Sequence, residues 1–433
     1  MKGNKKNIPH LGEVPASWES GHISDLIAGL ESGVSVNGED RERLASELAV
    51  LKISAVTYGT FNQHACKPII SGDIERAKCN PKSGQILISR SNTAQMVGAS
   101  AYIEENYPWL FLPDKLWQTI PIKNRKLCMR WLAYYLASPR ARYQLSSLAT
   151  GTSSSMKNIT KEELLSLPIP IPTFEEQVKI ARLLSTWEEV IDVKERLLQA
   201  KQSQLTQLSR KLLFGSIRLG KQKNELIVER FFNHPSDWAL VKVGDVAQEV
   251  SVRGGNSVET VLSCSKYDGF VNSLDYFGKQ VFSNDTSNYK VIRKGQFGYP
   301  SNHIEEGSIG LVEHCELGIV SPIYVVFEVN GDRVHAPYLY KLLKTDVYRH
   351  IFQVSTSSSV DRRGSLRWSD FSRLKVPLPP LAEQKEIAEA IYVAEEEIKL
   401  LKQLAEKYRV QKRGLMQKLL TGEWRVNTDE EVV

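Results

Sequence analysis

The feature that most constrains this chain is an internal repeat. The segment Leu167–Gly215 aligns without a gap on Leu374–Gly422, at an offset of 207 residues. Seventeen of the 49 aligned positions are identical, far more than unrelated segments share. Because such a repeat means that one structural unit is used twice, it has to be recognised before any other pattern is interpreted.

Weaker similarities upstream follow the same order in both halves. They are Pro15-x-x-Trp18 with Pro235-x-x-Trp238, Gly84-Gln85 and Ser91-Asn92 with Gly295-Gln296 and Ser301-Asn302, and Thr152–Ser155 with Thr356–Ser359. The chain is therefore two copies of one unit, each a variable globular part followed by a more similar segment. We divide it into globular domains at 1–165 and 223–372, and helical regions at 166–222 and 373–433.

The similar segments are predicted to be long helices. Each begins with a proline-containing extended stretch, and a helix can start only after the last proline. From Glu175 to Phe214 and from Ala382 to Thr421 there is no proline, and apolar residues recur at steps of three and four, as in a heptad seam. Gly215 and Gly422 follow, where a helix commonly ends.

The charges of these segments predict how the two helices pair. The first halves are acidic, with five Asp and Glu against two Lys and Arg in 175–193, and six against two in 382–401. The second halves are basic, with five cations against one acid in 194–214 and six against one in 402–421. Antiparallel pairing sets each acidic half beside a basic half. We therefore expect an antiparallel coiled coil, although the basic halves could instead be DNA-binding faces.

The globular parts are predicted to be α+β. Short β-like runs occur at Gln85–Ser89, Ile309–Val312 and Ile319–Val329, and turn-forming pairs such as Asp-Gly and Asn-Gly separate such runs. Trp, Tyr and Leu recur at helical spacing in 128–138 and 336–344, which predicts two short helices.

Composition excludes several classes of protein. The five cysteines are odd in number and no two form a Cys-x-x-Cys pair, so reduced thiols are expected rather than disulfides or a zinc site. No run of 18 apolar residues occurs and the polar N-terminus is not a signal peptide, so we expect a cytoplasmic chain without a membrane partner. The net charge of +6 permits a nucleic-acid partner but does not require one.

Catalytic motifs are weak or incomplete. The Asn/Asp-Pro-Pro-aromatic loop of an adenine methyltransferase does not occur in the sequence. Gly215-x4-Gly220-Lys221 lacks the Ser or Thr of a phosphate-binding loop and follows a helix instead of a strand. Ser263-x-x-Lys266 has no companion motif, and His314-Cys315 has no second pair of metal ligands. We therefore expect a non-catalytic chain.

Taken together, the duplicated domains, the Glu-Gln-x-x-Ile-Ala start and the Leu-Leu-x-Gly end of each long segment resemble the specificity subunit of type I restriction–modification systems, the HsdS family. Pro15-Ala-Ser-Trp18 and the loop Thr150–Ser155 are also similar to that family. The second half departs from the pattern, because Val354–Ser359 lacks the Thr-Gly start and lies three residues further from the Leu374 motif.

The resemblance implies a fold and a set of partners. It implies two target recognition domains of α+β fold, separated by two long antiparallel coiled-coil helices with pseudo-twofold symmetry, each domain reading one half of a split site in double-stranded DNA. It also implies that the helices seat modification (methyltransferase) subunits, two of them, and that restriction/translocase subunits join the complex. S-adenosylmethionine, ATP and Mg²⁺ would be bound by those partners and no cofactor by this chain. The alternative is an adaptor that organises proteins and never reads DNA.

Candidate DNA contacts follow from residue type within the family-like loops. Arg and Lys can hold phosphates or read guanine, Asn can read adenine, and Ser and Thr can do either. The candidates in the first domain are Ser89, Arg90, Asn92, Thr150, Thr152, Ser154, Lys157 and Asn158. Those in the second domain are Ser301, Asn302, His303, Ser357, Ser359, Arg362, Arg363 and Arg367. The alternative for each is an ordinary solvated turn.

Overall fold

The computed structural model describes residues 5–8, 12–153, 156–220, 225–254, 260–356 and 365–427. The chain forms two compact units, one of Met1–Glu195 with Leu404–Val433 and the other of Arg196–Gln403. Each unit therefore combines a globular domain with parts of both long helical segments.

The first unit has the α+β fold that the sequence predicts. Its strands are β1 (Lys5–Ile8), β2 (Gly12–Pro15), β3 (Glu19–His22), β4 (Ile27–Ser32), β5 (Ala49–Leu51), β6 (Cys66–Pro68), β7 (Ile86–Ser89), β8 (Ser91–Asn92), β9 (Ser100–Tyr102), β10 (Leu110–Phe111), β11 (Leu116–Pro121), β12 (Thr150–Ser153), β13 (Met156–Asn158) and β14 (Pro168–Ile171). Its short helices are α1 (Met129–Ala137), α2 (Pro139–Leu148) and α3 (Lys161–Leu165). The largest sheet has the order β4-β11-β7-β9, and two three-stranded sheets have the orders β10-β5-β6 and β12-β13-β8.

The second unit repeats this plan with different loops. Its strands are β15 (Leu226–Val228), β16 (Asn233–Pro235), β17 (Ala239–Lys242), β18 (Ala247–Val250), β19 (Leu262–Ser265), β20 (Gly269–Asn272), β21 (Lys290–Arg293), β22 (Phe297–Pro300), β23 (Gly310–Leu311), β24 (Leu317–Val320), β25 (Tyr324–Val329) and β26 (Lys375–Leu378). Its short helices are α5 (Ser273–Phe277), α6 (Ala336–Leu343), α7 (Asp346–Ser355) and α8 (Trp368–Phe371). The largest sheet has the order β18-β25-β22-β23.

The core of each unit contains large aromatic side chains from its short helices. Trp131 and Tyr135 of α1 are fully buried in the first unit, and Tyr338 of α6 and Tyr348 of α7 are fully buried in the second. The predicted helices over 128–138 and 336–344 are thus confirmed as α1 and α6. The proline-containing stretches form β14 and β26, which pair antiparallel with β3 and β17 and attach each long segment to its own domain.

The long segments are α4 (Phe174–Leu213) and α9 (Leu381–Leu420), each 40 residues long, as the sequence predicts. In the first unit the ring centroids of Trp187 and Tyr408 are 5.6 Å apart, and Lys412 Nζ lies 2.6 Å from Glu188 Oε1. Further along α4, Glu195 Oε1 accepts a hydrogen bond from Arg409 Nη2 at 2.5 Å. Glu195 follows Glu188 in α4 whereas Arg409 precedes Lys412 in α9, so the two segments are antiparallel there.

The second unit shows the same pairing with the charges exchanged. Lys201 of α4 lies 2.8 Å from Glu397 of α9. The prediction that acidic halves lie beside basic halves is therefore confirmed within each unit. None of the described helices is both long and apolar enough to cross a membrane.

One predicted strand is wrong. The run Ile319–Val329 is two strands, β24 and β25, separated by a turn at Ser321-Pro322 in which Tyr324 N donates to Ser321 O at 3.0 Å. Proline has no amide hydrogen to donate to a strand ladder, which explains why the chain turns at this point.

Candidate nucleic-acid interface

The repeated Glu-Gln pair ties the start of each long helix to its domain. In the first unit Trp18 Nε1 donates to Glu176 Oε2 at 2.9 Å, and Arg425 Nε donates to Glu176 Oε1 at 2.6 Å. Gln177 Nε2 donates to Pro172 O at 2.9 Å, and its Oε1 accepts a hydrogen bond from Cys128 N at 3.0 Å, at the start of α1. The helix, the extended stretch before it and α1 are thereby held together.

The second unit has an equivalent arrangement with a stronger ion pair. Arg218 Nε and Nη2 donate to the two oxygens of Glu383 at 2.8 and 2.6 Å, and Arg218 Nη1 donates to Asp237 at 2.8 Å. Gln384 Oε1 accepts from His335 N at 2.8 Å, at the start of α6. The Trp238 Nε1 atom is buried without a hydrogen-bond partner among the described residues, whereas the equivalent Trp18 Nε1 donates to Glu176.

These arginines are residues that the sequence reasoning missed. Arg218 and Arg425 lie outside the aligned segments, but they stand at the same offset of 207, three residues after Gly215 and Gly422. Extending the alignment past the glycines would have identified the pair.

In the first unit the two predicted DNA-contact segments meet in one small sheet. β13 pairs with β8, so that Lys157 lies opposite Asn92 and Asn158 opposite Ser91. β12 pairs with the other edge of β13, with Thr150 opposite Asn158. Residues about 60 positions apart in the chain are thus neighbours.

The side chains of this sheet differ in exposure. Thr150 and Asn158 are exposed, whereas Arg90, Asn92 and Lys157 are partly exposed. Ser89 has no exposed surface, and its hydroxyl accepts a hydrogen bond from Asn92 Nδ2 at 3.3 Å. Ser89 therefore orients Asn92 in this structure. Thr152 lies on β12, and Ser154 lies outside the described residues.

Two cationic side chains of this region differ in their hydrogen bonding. Lys157 Nζ donates to Gly151 O at 2.6 Å, across the β12–β13 hairpin. The Nε atom of Arg90 is buried without a hydrogen-bond partner among the described residues. A buried guanidinium nitrogen without a partner lowers stability, so this part of the Arg90 side chain is a cost of the local packing.

In the second unit the segment after β22 meets the segment before α8. Ser301 O accepts a hydrogen bond from Leu366 N at 2.9 Å, as Arg90 O accepts from Ile159 N at 3.0 Å in the first unit. Ser301 and Asn302 are partly exposed, and His303 and Arg367 are exposed. The remaining candidates, Ser357, Ser359, Arg362 and Arg363, lie outside the described residues.

Three side chains near this segment are the only potential metal ligands that cluster in the described part of the chain. The ligand atoms of His303, Glu305 and Glu306 lie within 4.8 Å of one another. Two of the three residues are exposed, and His303 Nδ1 lies 3.5 Å from Glu306 Oε1, a spacing that an ordinary surface pair explains. The suspected pair His314-Cys315 is not part of this cluster.

The chemistry of both surfaces suits nucleic acid. Each presents hydroxyl, amide and cationic or imidazole groups on one short stretch of backbone, the set that reads base edges and holds phosphates.

Burial together with the neighbouring Glu188 carboxylate raises the pKa of Tyr134, whose hydroxyl donates to Glu188 at 2.5 Å. This tyrosine therefore stays neutral and serves to hold α1 against α4.

Comparison with known proteins gives one consistent result. The chain is 24% identical over 430 residues to the putative type I restriction enzyme MjaX specificity subunit of Methanocaldococcus jannaschii, an alignment that covers 96% of each chain. The S subunit of a type I restriction-modification system from M. genitalium has 16% identity and a TM-score of 0.52, over 93% of this chain and 96% of that one.

A second solved structure agrees with this fold. It comes from work on complex assembly and conformational transition of the type I R-M system, and its chain has 15% identity and a TM-score of 0.55, over 95% of this chain and 99% of that one. Residues 17–201 and 235–407 each match the domain family described as Type I restriction modification DNA specificity domain. Since these two matches cover most of both halves, the chain belongs to the type I restriction modification DNA specificity family.

Proposed function

We propose that this chain is the DNA sequence-specificity subunit of a type I restriction–modification complex, and that each unit reads one half of a bipartite site. The observation that carries the proposal is the repeated backbone contact of Arg90 with Ile159 and of Ser301 with Leu366. In the first unit this contact brings together the two segments that carry the candidate base-reading residues, and in the second unit it joins Ser301 to the residue directly before Arg367. Because both units have this arrangement, each can bind one half-site in the same way.

The long helices are proposed to seat two modification subunits. They expose several large apolar side chains, namely Leu183, Val193 and Leu197 on α4 and Tyr392, Val393, Leu400 and Val410 on α9. Where exposed apolar side chains form a contiguous patch, they mark contacts with other proteins. The restriction/translocase subunits would join the same complex, and those partners would bind S-adenosylmethionine, ATP and Mg²⁺.

The test is to map methylated adenines in cells that contain this chain and its modification subunit. We expect one bipartite motif whose two halves are separated by unspecified bases, and no such motif in cells that contain the modification subunit alone. Methylation without a motif, or binding of the partner with no sequence-selective binding of DNA, would favour the adaptor alternative.

A binding experiment tests the arginines of the second domain. Replacing Arg362 and Arg363 with Ala should weaken DNA binding and reduce the log–log salt slope by up to about one for each phosphate interaction that the substitution removes. The measurement is a salt titration of the assembled complex on its own site. An unchanged slope and affinity would assign both arginines to the solvated surface.

A further inference from the structure

Each unit has a short loop beside its first group of candidate base contacts, Ser89–Asn92 in the first unit and Ser301–His303 in the second. The first loop is Thr93–Gly98, which follows β8, and the second loop is Asn302–Gly307, which lies after β22. Both end at a glycine of positive φ, +79° at Gly98 and +90° at Gly307. The loops therefore occupy equivalent places in the repeat and carry or adjoin the candidate base contacts.

In the first unit, α2 holds the first loop. Arg142 Nη2 donates to Gln95 O at 3.0 Å, and Ser146 Oγ, one turn further along α2, donates to Ala94 O at 2.9 Å. The Arg142 guanidinium carbon lies 3.1 Å from the ring centroid of Tyr58, whose hydroxyl also donates to Gln95 O. A cation and two hydroxyls thus converge on two consecutive carbonyls of the loop.

The loop is also packed closely on α2. A Cβ at Gly98 would lie 2.9 Å from Leu145, so only glycine allows this approach. Gly98 N donates back to Ser89 O at 2.8 Å, which connects the end of the loop to β7. Movement of α2 or removal of the Arg142 side chain would therefore be transmitted to the segment that carries Asn92.

In the second unit a lysine has the same role. Lys344, directly after α6, donates from Nζ to Gly307 O at 2.9 Å and to Lys266 O at 2.7 Å. Burial lowers the pKa of this ammonium group, and the two carbonyls compensate for part of its lost hydration. The Lys344 cation is directed at the backbone of the loop rather than at solvent.

We infer that Arg142 and Lys344 are positioning residues, each of which fixes the loop of its own unit so that the candidate base-reading residues are held ready for DNA. The inference rests on the proposed function. Both cations bind main-chain carbonyls, so they act through the loops and not through phosphates. A loop that already has its bound conformation loses less conformational entropy when DNA binds, and its side chains are held in the geometry that distinguishes one base from another.

The test uses two variants in the full complex, each with a matched control. Arg142→Met should lower discrimination against single-base changes at least tenfold in one half-site only, and Lys344→Met should do the same in the other half-site. The salt slope should stay as in the parent chain. Ser147→Ala is the control on α2, because its hydroxyl donates to Tyr143 O of the same helix and not to the loop in the described part of the chain. Lys341→Met is the control on α6, because it removes an equal charge that pairs with Glu395 of α9.

Hydrogen exchange of the chain without DNA gives a second readout. The amides of residues 96–98 should exchange at least tenfold faster in Arg142→Met, and those of 306–307 in Lys344→Met, with little change in either control. If the parent chain selects its site but the variants keep full discrimination, the inference is overturned. If the parent chain shows no selectivity, the proposed function fails instead. A salt slope that falls by about one would reassign the residue to direct phosphate contact.

Discussion

Glu176 and Glu383 occupy the same place in the repeat but depend on partners of different exposure. The side chains of Arg218 and Glu383 are 3% and 1% exposed, so this pair is removed from water. Arg425, the partner of Glu176, is 38% exposed. Breaking a buried pair leaves an uncompensated charge, whereas water can replace a partner that lies at the surface.

We therefore predict unequal decreases in stability from two equivalent substitutions. Arg218→Met should lower the free energy of unfolding by about 3–5 kcal/mol, because Glu383 and Asp237 lose their cation. Arg425→Met should cost about 1 kcal/mol, because solvent reaches Glu176 once the guanidinium is gone. Chemical denaturation of both variants is the measurement, and equal decreases would contradict the role given to burial.

At the scale of the elements, the long helices end at glycines for a conformational and a steric reason. Gly215 and Gly422 have φ of +68° and +72°, in the left-handed region that favours glycine. A Cβ at Gly215 would lie 2.3 Å from Pro235 Cγ, and one at Gly422 would lie 2.3 Å from Pro15 Cδ. Each helix end is thus fitted against the Pro-x-x-Trp segment of a domain.

A pair of glycine substitutions tests this explanation. Gly215→Ala should destabilise the chain by several kcal/mol, since it combines an unfavourable φ with a clash against Pro235. Gly414→Ala is the matched control, because Gly414 lies within α9 with no atom within 4 Å of the added Cβ. That control should stabilise the chain by about 0.5–1 kcal/mol. Both variants are measured by thermal unfolding, and no decrease in stability for Gly215→Ala would show that φ and the contact with Pro235 are not the reason for this glycine.

At the scale of the whole molecule, the repeat divides the chain into two units of the same plan. The candidate contacts of the first domain and those of the second lie in separate compact units. The loops that carry them have different sequences, whereas the helix segments are similar. This division predicts that the two half-sites are read independently.

Exchange of one domain tests that independence. Replacing residues 1–165 with the first domain of another family member should change one half of the methylated motif and leave the other half as it was. Methylation mapping in cells that contain the chimera is the measurement. A change in both halves, or in neither, would contradict reading by separate units.

Insertion into the helices tests whether they set the gap between the half-sites. One heptad added after Gln202 of α4, with a matching heptad after Leu400 of α9, should preserve the seam and add about 10 Å of helix. Because DNA rises about 3.4 Å per base pair, the gap between unchanged half-sites should grow by roughly three base pairs. Full activity with an unchanged gap would mean that the helices do not measure the site.

Much of the fold was predictable because its signals are local and periodic. The offset of 207 residues, the heptad seam, the prolines before each helix and the glycines after it are read directly from the chain. Helix hydrogen bonds join residues four apart, so the sequence nearby largely decides where a helix begins and ends. The bounds of α4 and α9 accordingly agree with the prediction to within one residue. The antiparallel pairing was predicted from the acidic and basic halves of each long segment, which are also visible in the sequence.

Contacts between distant residues were decided only by the tertiary structure. Strand pairing brings Lys157 beside Asn92, and helix packing brings Arg142 to the first loop; neither contact has a local signal. The same packing buried Ser89 while it left Asn158 exposed, although both were candidates by residue type. Residue type defines which hydrogen bonds a side chain can make, but burial and long-range pairing decide which of them are left for a partner.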